Sequence, residues 1–282
     1  MDKFSDKMRK PVCYCKFFAI LLTKQKGITM KILFFDLDDT LLRSDKTISE
    51  YTLKTLAECK KCGLQIGFST SRGQMHDSPY VAQVQPDIII GNGGASVMYK
   101  GSTIFTASFT LEETRAMLDA AYKVCGSSCE ITLDTPDAIY WNRKADKSTN
   151  YGFSSVYDDM RNFAQPALKI CVQTWDDSLA SQIAASVPGS VAIRFSDIPW
   201  YKFSPATATK ENAIRFVSDY LNVPLSEMAA FGDDFSDIGM LKMCGTGVAM
   251  GNAIPEVKAA ADFIAESNND DGAAKFIREH YL

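Results

Sequence analysis

Residues 31–37, KILFFDL, are almost unbroken in apolar side chains, with acid at Asp36 and again just beyond at Asp38 and Asp39. A strand with one wet face alternates polar and apolar residues, whereas a continuous apolar run is buried on both faces, as in a parallel sheet covered by helices. The pattern recurs in LQIGFST (64–70), PDIIIGNGG (86–94), MAAFGDD (228–234) and GTGVAM (245–250), most of which end in small polar or acidic residues. Between the first two runs lies SEYTLKTLAECKKCG (49–63), with Ser49 as N-cap, Leu53, Leu56 and Ala57 on one face, and Gly63 as stop. Strand, helix and strand in that order imply parallel neighbours joined by right-handed crossovers. The expected fold class is therefore α/β, with a Rossmann-like parallel sheet as its core. Ligands in such sheets sit beyond the carboxyl ends of the strands, where this chain places its polar residues.

From about 95 to 200 the texture changes to hairpins and helices. ASVMYKGSTIFTAS predicts a hairpin around Lys100-Gly101, TLEETRAMLDAAYKVCG a helix, and CEITLDTPDAIYWNR two strands turning at Thr135-Pro136-Asp137. ALKICVQTW and SVAIRFSDIPWYKFS read as strands, and DDSLASQIAASVPG as a helix. The reading is an α+β lobe, residues 96–199, inserted into a core made of 30–95 and 200–282. After it, TKENAIRFVSDYLN predicts an amphipathic helix with Ala213, Ile214, Val217, Tyr220 and Leu221 inward.

The first 29 residues combine a basic start with a short apolar run broken by Lys16. That run is too short to span a bilayer and lacks a signal-peptidase site. A membrane-surface anchor is one reading; the one adopted is an extension, disordered or a mis-assigned start, with the fold beginning at Met30. A cytoplasmic protein is then expected, with no membrane partner.

A net charge of −4 argues against nucleic acid as a partner, since no basic excess exists to neutralise its backbone. Only two histidines occur, His76 and His280, which speaks against histidine-based catalysis or a zinc site. The eight cysteines, in a chain without a secretory signal, read as reduced thiols. Cys59-Lys-Lys-Cys62 has the spacing of a redox or metal pair, but with no second such pair and no nearby histidine it reads as helix packing.

The acidic end of the first run carries the chemistry. Asp36 and Asp38 project to the same side if the strand continues through them. Two carboxylates at about 4 Å repel by roughly 4 kcal/mol at an effective dielectric of 20. A hard divalent cation removes that cost, and magnesium takes oxygen ligands while leaving positions for water and a phosphate. Capping of a following turn is the plainer alternative; it needs only one aspartate, and Asp39, out of phase, is assigned to it. FSTSR ends a strand with Ser69, Thr70 and Ser71, ATKEN starts a helix with Lys210, and FGDDFSD supplies Asp233, Asp234 and Asp237. Carboxylates, a hydroxyl and an ammonium are the parts of a phosphoryl-transfer site: cations offset charge on the phosphoryl oxygens while an aspartate attacks in line.

Taken together, DLDDTLL, STSR, NGG (92–94), the Thr209-Lys210 pair and FGDDFSDIGML followed by GVAMGNAIPEVKAAAD resemble the haloacid dehalogenase superfamily, in particular its Cof-like phosphatases with the larger type IIB cap. The likeness covers residues 31–282. It implies that Asp36 is the nucleophile and that Asp38 protonates the leaving alcohol and then activates water. It implies further that Thr70 and Lys210 hold the phosphoryl group, with Ser71, Arg72 and Asn92 beside them. Magnesium would be held by Asp36 and Asp233 through side chains and by Asp38 through its carbonyl, with Asp237 supporting the ligands from behind. Departures from the family pattern are Ser71, Glu211 and Ser236, where glycine, glycine and asparagine are frequent; none removes a catalytic group.

Thr70 follows Asp36 by 34 residues and Lys210 follows Thr70 by 140, so the insertion falls between the second and third motifs. A cap there would exclude water and read the leaving group. Trp141, Asn142, Arg143 and Arg194 are candidates for that contact, against the plainer reading of packing and a solvated head. The expected activity is magnesium-dependent hydrolysis of small phosphorylated metabolites, sugar phosphates first, then phosphorylated cofactors or nucleotides, with no obligate protein partner. A phosphomutase shares the aspartyl-phosphate step. A phospho-receiver switch uses similar groups but is shorter and has no cap. A dehalogenase needs neither Asp38 nor Asp233, and a non-catalytic relic has no reason to keep Asp36, Asp38, Lys210 and Asp233.

Overall fold

The structure is a computed structural model of the 282-residue chain; it describes residues 30–73, 78–146, 148–149, 154–195 and 198–282. The expectations for residues 1–29, and His76, lie outside the described residues.

The described residues form two sheets. The first contains β1 (Ile32–Phe35), β2 (Gln65–Ser69), β3 (Ile88–Gly91), β4 (Ser96–Tyr99), β5 (Ser102–Thr106), β12 (Met228–Gly232), β13 (Thr246–Ala249) and β14 (Phe263–Ile264). Their order is β14-β13-β12-β1-β2-β3-β4-β5. β1 lies at the centre, parallel to β12 on one side and β2 on the other, and every side chain from Ile32 to Phe35 is fully buried. Phe34 stands in register with Gly67, where an added Cβ would come within 2.5 Å of its ring. Phe35 stacks on Phe231 with ring centroids 4.8 Å apart. The doubly buried strand inferred from the unbroken apolar run is thus the axis of the core.

The helices are α1 (Glu50–Lys61), α2 (Pro79–Val84), α3 (Leu111–Cys125), α4 (Asp177–Ala185), α5 (Lys210–Leu221), α6 (Ile238–Met243), α7 (Pro255–Ala260) and α8 (Gly272–His280). Ser49 caps α1 by accepting from the Thr52 N–H at 3.0 Å, but its buried face is Thr52, Thr55, Leu56 and Cys59, while Ala57 is exposed. In α5, Ala213, Ile214 and Val217 are buried; Tyr220 is 54% exposed and stacks on Phe216 at the surface. Cys59 packs into the core, where burial pushes its thiol up to about 11, and Cys62 is exposed; both are free. Among the described residues no helix is long and apolar enough to cross a membrane.

The second sheet contains β6 (Ile131–Asp134), β7 (Ile139–Trp141), β8 (Val156–Tyr157), β9 (Lys169–Gln173), β10 (Ser190–Arg194) and β11 (Trp200–Pro205), in the order β10-β11-β9-β6-β7-β8. All its pairings are antiparallel except β7 with β8. Ile131, Leu133, Ile170, Val172 and Phe203 form its core with Met117, Leu118 and Ala121 of α3 and Ile183 of α4. The alternate residues Thr132, Asp134, Lys169, Cys171 and Gln173 face the other way, as strand geometry requires.

Sheet membership corrects two boundaries. The hairpin β4–β5 turns at Lys100 and Gly101, both at positive φ (48° and 83°), as a two-residue hairpin turn demands. It extends the first sheet through antiparallel pairing with β3 rather than opening the insert. Trp200–Pro205 pairs with β9 and so belongs to the second sheet, not to the returning core. Hairpin texture reveals antiparallel pairing but not which sheet receives it.

Candidate active site

β1 ends at Phe35, two residues earlier than the apolar run suggests. Asp38 has φ −68° and ψ 125°, Asp39 is left-handed at φ 57°, and the turn closes when the Leu42 N–H donates to the Leu37 carbonyl at 2.8 Å. Asp36 and Asp38 therefore do not share a strand face as expected, and their carboxylates part company.

The Asp36 carboxylate is buried. Its Oδ1 accepts from Lys210 Nζ at 2.6 Å, and the same ammonium donates to Asp237 Oδ1 at 2.7 Å. Lys210 is the first residue of α5, whose cap Thr209 accepts from the Asn212 N–H. The other oxygen of Asp237 accepts the backbone N–H groups of Asp233 and Asp234, at 2.9 and 3.1 Å, and so fixes the loop after β12. Asp233 Oδ1 accepts from the Thr40 hydroxyl at 2.5 Å. Asp36, Asp233 and Asp237 each offer a carboxylate oxygen, and these oxygens lie within 4.8 Å of one another.

Crowding acid out of water has the expected electrostatic result. Burial pushes Asp36 up to about 8 against the pull of Lys210, and burial likewise pushes Asp233 up to about 7 against the Thr40 hydrogen bond. Asp237 is raised by burial as well. Burial works to neutralise Lys210, but the Asp36 and Asp237 carboxylates outweigh it and hold the ammonium above its ordinary value. Carboxylates that resist ionisation here would be relieved by a divalent cation. All-oxygen donors suit magnesium better than a thiophilic metal.

Asp38 takes no carboxylate part in this cluster, leaving only its carbonyl for the ligand role the family pattern implies. Its oxygens accept from Arg72 Nε and Nη2, each at 2.7 Å, and from Lys46 Nζ at 3.0 Å. Burial alone would raise its pKa, but those cations hold the carboxyl below the usual range.

Thr70 is buried just past β2, where its Oγ1 accepts from the Arg72 N–H at 3.1 Å and its carbonyl from the Gly93 N–H at 2.9 Å. Ser71 is exposed. Asn92 is left-handed at φ 53° and buried, and its N–H donates to the Arg72 carbonyl at 2.9 Å. The structure therefore brings the 70–72 and 92–94 turns together. Gly94, at φ +106°, lies so close to α5 that a Cβ would stand 2.1 Å from the Thr209 carbonyl oxygen. The turn after β3 and the start of α5 interlock there.

The second sheet's helix-free face meets these turns. A Cβ on Gly73 would fall 2.3 Å from Asp134 Oδ2 and 2.7 Å from Asn92 Oδ1. On that face lies a cavity of about 450 Å³ whose lining includes Asp134, Trp141, Arg143, Lys169, Gln173 and Trp200. Of the four proposed leaving-group contacts, Trp141 and Arg143 line it. Asn142 does not: its side chain bonds the Ile131 N–H and the Cys129 carbonyl, both at 2.8 Å, as a structural clip. Arg194 lies over Trp175 and 3.5 Å from Asp177 on the edge strand β10.

Sequence reasoning assigned no role to Thr40, Lys46 or Lys202. Thr40 carried a signal, as the last residue of the acidic motif; Lys46 and Lys202 carried none, because only the fold brings them near.

The sequence profile of the haloacid dehalogenase-like hydrolases matches residues 33–277. The 5-amino-6-(5-phospho-D-ribitylamino)uracil phosphatase YitU of Bacillus subtilis is 29% identical over 266 residues, 89% of this chain and 97% of that protein. Among solved structures, a haloacid dehalogenase-like hydrolase from Bacteroides thetaiotaomicron aligns with a TM-score of 0.79 at 21% identity, over 89% of this chain and 99% of the other. The subclass IIB sugar phosphatase BT4131 aligns at 0.73 with 24% identity, over 88% and 98%. At those identities the structural likeness speaks for the fold, an α/β core of this hydrolase type.

Proposed function

The chain belongs to the haloacid dehalogenase-like hydrolases, and from that premise we propose that it is a magnesium-dependent phosphatase of small phosphorylated metabolites that works through a phosphorylated Asp36. The observation that carries this reading is Lys210, clamped between Asp36 and Asp237 with Asp233 beside them. A lysine buried to 2% exposure and shared by two carboxylates is costly to assemble, and its use is to fix a nucleophile and offset phosphoryl charge.

In the proposed cycle an Asp36 oxygen attacks phosphorus in line, and the bond to the leaving oxygen breaks. Asp38 gives that oxygen its proton, then takes one from water, which attacks the phosphorus of the acyl phosphate and releases phosphate and free Asp36. Lys210 and Thr70 hold the phosphoryl oxygens, and Ser71, Arg72 and Asn92 shape the turns around them. Asp36, Asp233 and the Asp38 carbonyl would hold the magnesium ion, with Asp237 orienting the loop that carries Asp233. A bound ion would offset charge on the phosphoryl oxygens.

The second sheet with α3 and α4 is proposed as the cap over this site. Sugar and polyol phosphates are the first substrates to test, since YitU is named for a phosphoribityl substrate and BT4131 for sugar phosphates. Phosphorylated cofactors and nucleotides come next. The six described cysteines are all free thiols, which supports a reducing, cytoplasmic setting. The test is turnover of p-nitrophenyl phosphate and a metabolite-phosphate panel with and without magnesium. No turnover with magnesium, or equal turnover after Asp36→Asn, defeats the reading.

A further inference from the structure

Lys202 stands where the cavity face of the second sheet meets the phosphate turns. On β11 it is in register with Cys171, which is in register with Thr132, which is in register with Trp141. Residues in one such row share a face, and Cys171, Thr132 and Trp141 all line the cavity. The flanking Tyr201 and Phe203 point the other way, into the helix-covered core. The Lys202 side chain thus projects from the cavity face toward the first sheet.

Its reach is fixed by a glycine. The Nζ lies 3.4 Å from where a Cβ on Gly93 would be, and Ser71 Oγ lies 3.8 Å from the same point. Gly93 is tied to Thr70 by a 2.9 Å hydrogen bond. The ammonium therefore hangs over the two turns that carry Thr70, Ser71 and Asn92.

Its charge is unmatched. Lys169 has Asp134 at 3.1 Å, and Lys210 has Asp36 and Asp237. Among the described residues the Lys202 ammonium has no ion-pair or hydrogen-bond partner. Asp234 is the acid facing it, and its Oδ1 is already committed to the N–H and hydroxyl of Ser236, at 2.8 and 2.7 Å. Burial first, then the charge of Lys169, and also that of Lys210, hold Lys202 below its ordinary pKa. A half-buried cation among other cations is unfavourable, and an anion arriving between the sheets relieves it.

We propose that Lys202 is a substrate-binding residue supplied by the inserted lobe, its ammonium contacting the phosphoryl oxygens of the bound ester across from the Thr70–Arg72 turn. This rests on the phosphatase reading and deepens it: the anion is read from both sheets, so phosphate binding draws the lobe onto the core. The alcohol product loses that contact when its phosphoryl group passes to Asp36.

The test pairs a binding measurement with kinetics, so that its failure and that of the phosphatase reading are separable. Inorganic phosphate binding is measured by calorimetry with magnesium present, for the full chain and for Lys202→Gln, Lys202→Met and Lys202→Arg. Loss of one charge-assisted hydrogen bond weakens phosphate by about tenfold or more in the Gln and Met variants, with KM for p-nitrophenyl phosphate rising alike and kcat within about threefold. Lys202→Arg keeps most of the affinity. Lys202→Met retains the packing of the aliphatic stem, and melting curves matching the unsubstituted chain show that folding is intact. Unchanged phosphate affinity and KM in both neutral variants overturn the proposal while the phosphatase reading stands. Weakened phosphate binding in a chain without turnover supports the proposal and sinks the phosphatase reading. Absence of phosphate binding by the unsubstituted chain overturns the proposal, and absence of turnover as well overturns the phosphatase reading.

Discussion

Arg72 grips Asp38 through two parallel hydrogen bonds of 2.7 Å, Nε to Oδ2 and Nη2 to Oδ1. A carboxyl held this way stays ionised, because Arg72 and Lys46 keep its pKa below the usual range. An ionised Asp38 can accept a proton from water but cannot donate one to a leaving alcohol. The described geometry therefore suits the second half of the proposed cycle, and the first half requires the clamp to open. Arg72→Gln removes one of the two cations, so the Asp38 pKa rises. The basic limb of the kcat/KM profile is then expected to move to higher pH for a sugar phosphate, whose leaving alcohol needs a proton. With p-nitrophenyl phosphate, whose leaving group needs none, the limb moves less. Equal shifts with both substrates would remove Asp38 from the acid role. Both side chains are more than a third exposed, so the effect on stability is small.

Magnesium binding is expected to depend on pH with a definite sign. Folded, metal-free Asp36 is raised to about 8 and Asp233 to about 7 from a value of 3.8. Between those limits the folded chain holds protons that the unfolded chain has released. Stability of the metal-free protein therefore falls as pH rises through that window. Magnesium needs both carboxylates ionised, so its binding expels the protons and tightens as pH rises from 5.5 to about 8. The rise in melting temperature on adding magnesium should be larger at pH 8 than at pH 5.5. Calorimetry in buffers of different ionisation enthalpy should show net proton release at pH 6. Equal melting shifts and no proton release would mean that the ion, if bound, lies elsewhere.

Asp237 is expected to matter for stability as much as for rate. It is fully buried and receives the Lys210 ammonium as well as the N–H groups of Asp233 and Asp234. Asp237→Ala leaves a buried lysine short of one carboxylate and two N–H groups without an acceptor. Removing one partner of such a buried charge network costs on the order of 3 kcal/mol. A clear fall in the denaturation midpoint without magnesium checks this. Magnesium affinity should fall too, because the Asp233 loop loses its anchor. An unchanged midpoint would show the network to be dispensable for the fold.

What could be read before any coordinates was the part written into local sequence. The apolar run at 32–35 determines the central strand, and small or acidic residues at strand ends place Asp36, Thr70 and Asp233 on one edge. Lys210 was legible because a Thr-Lys pair opens an amphipathic helix. The direction of Asp38 was not, because the strand ends at Phe35 and Asp38 lies in the turn that follows, where strand alternation no longer applies. Nor was the sheet that takes the 96–106 hairpin, since pairing partners lie far off in sequence. Lys46 and Lys202 escaped for a related reason. Each sits in a stretch without motif, and only a turn at φ 62° in one case and sheet register in the other aims it at the site.

Gly94 tests whether the seam between the turn after β3 and the start of α5 sets the position of the buried lysine. Its φ of +106° is a conformation that side chains resist, and a Cβ there would stand 2.1 Å from the Thr209 carbonyl oxygen and 2.8 Å from the Thr209 nitrogen. Backbone, unlike a flexible side chain, cannot swing aside. Gly94→Ala must push the start of α5 away from the turn, and Lys210 is the next residue after the one displaced. A shift of about 1 Å in such a group costs roughly 100-fold in rate, so kcat is expected to fall by about that factor. Gly63→Ala is the matched control, also at positive φ (+87°) but with open space around it and remote from the site's turns. It should lose some stability and keep its rate. If the two variants lose kcat alike, backbone strain in general, rather than displacement of Lys210, is the cause.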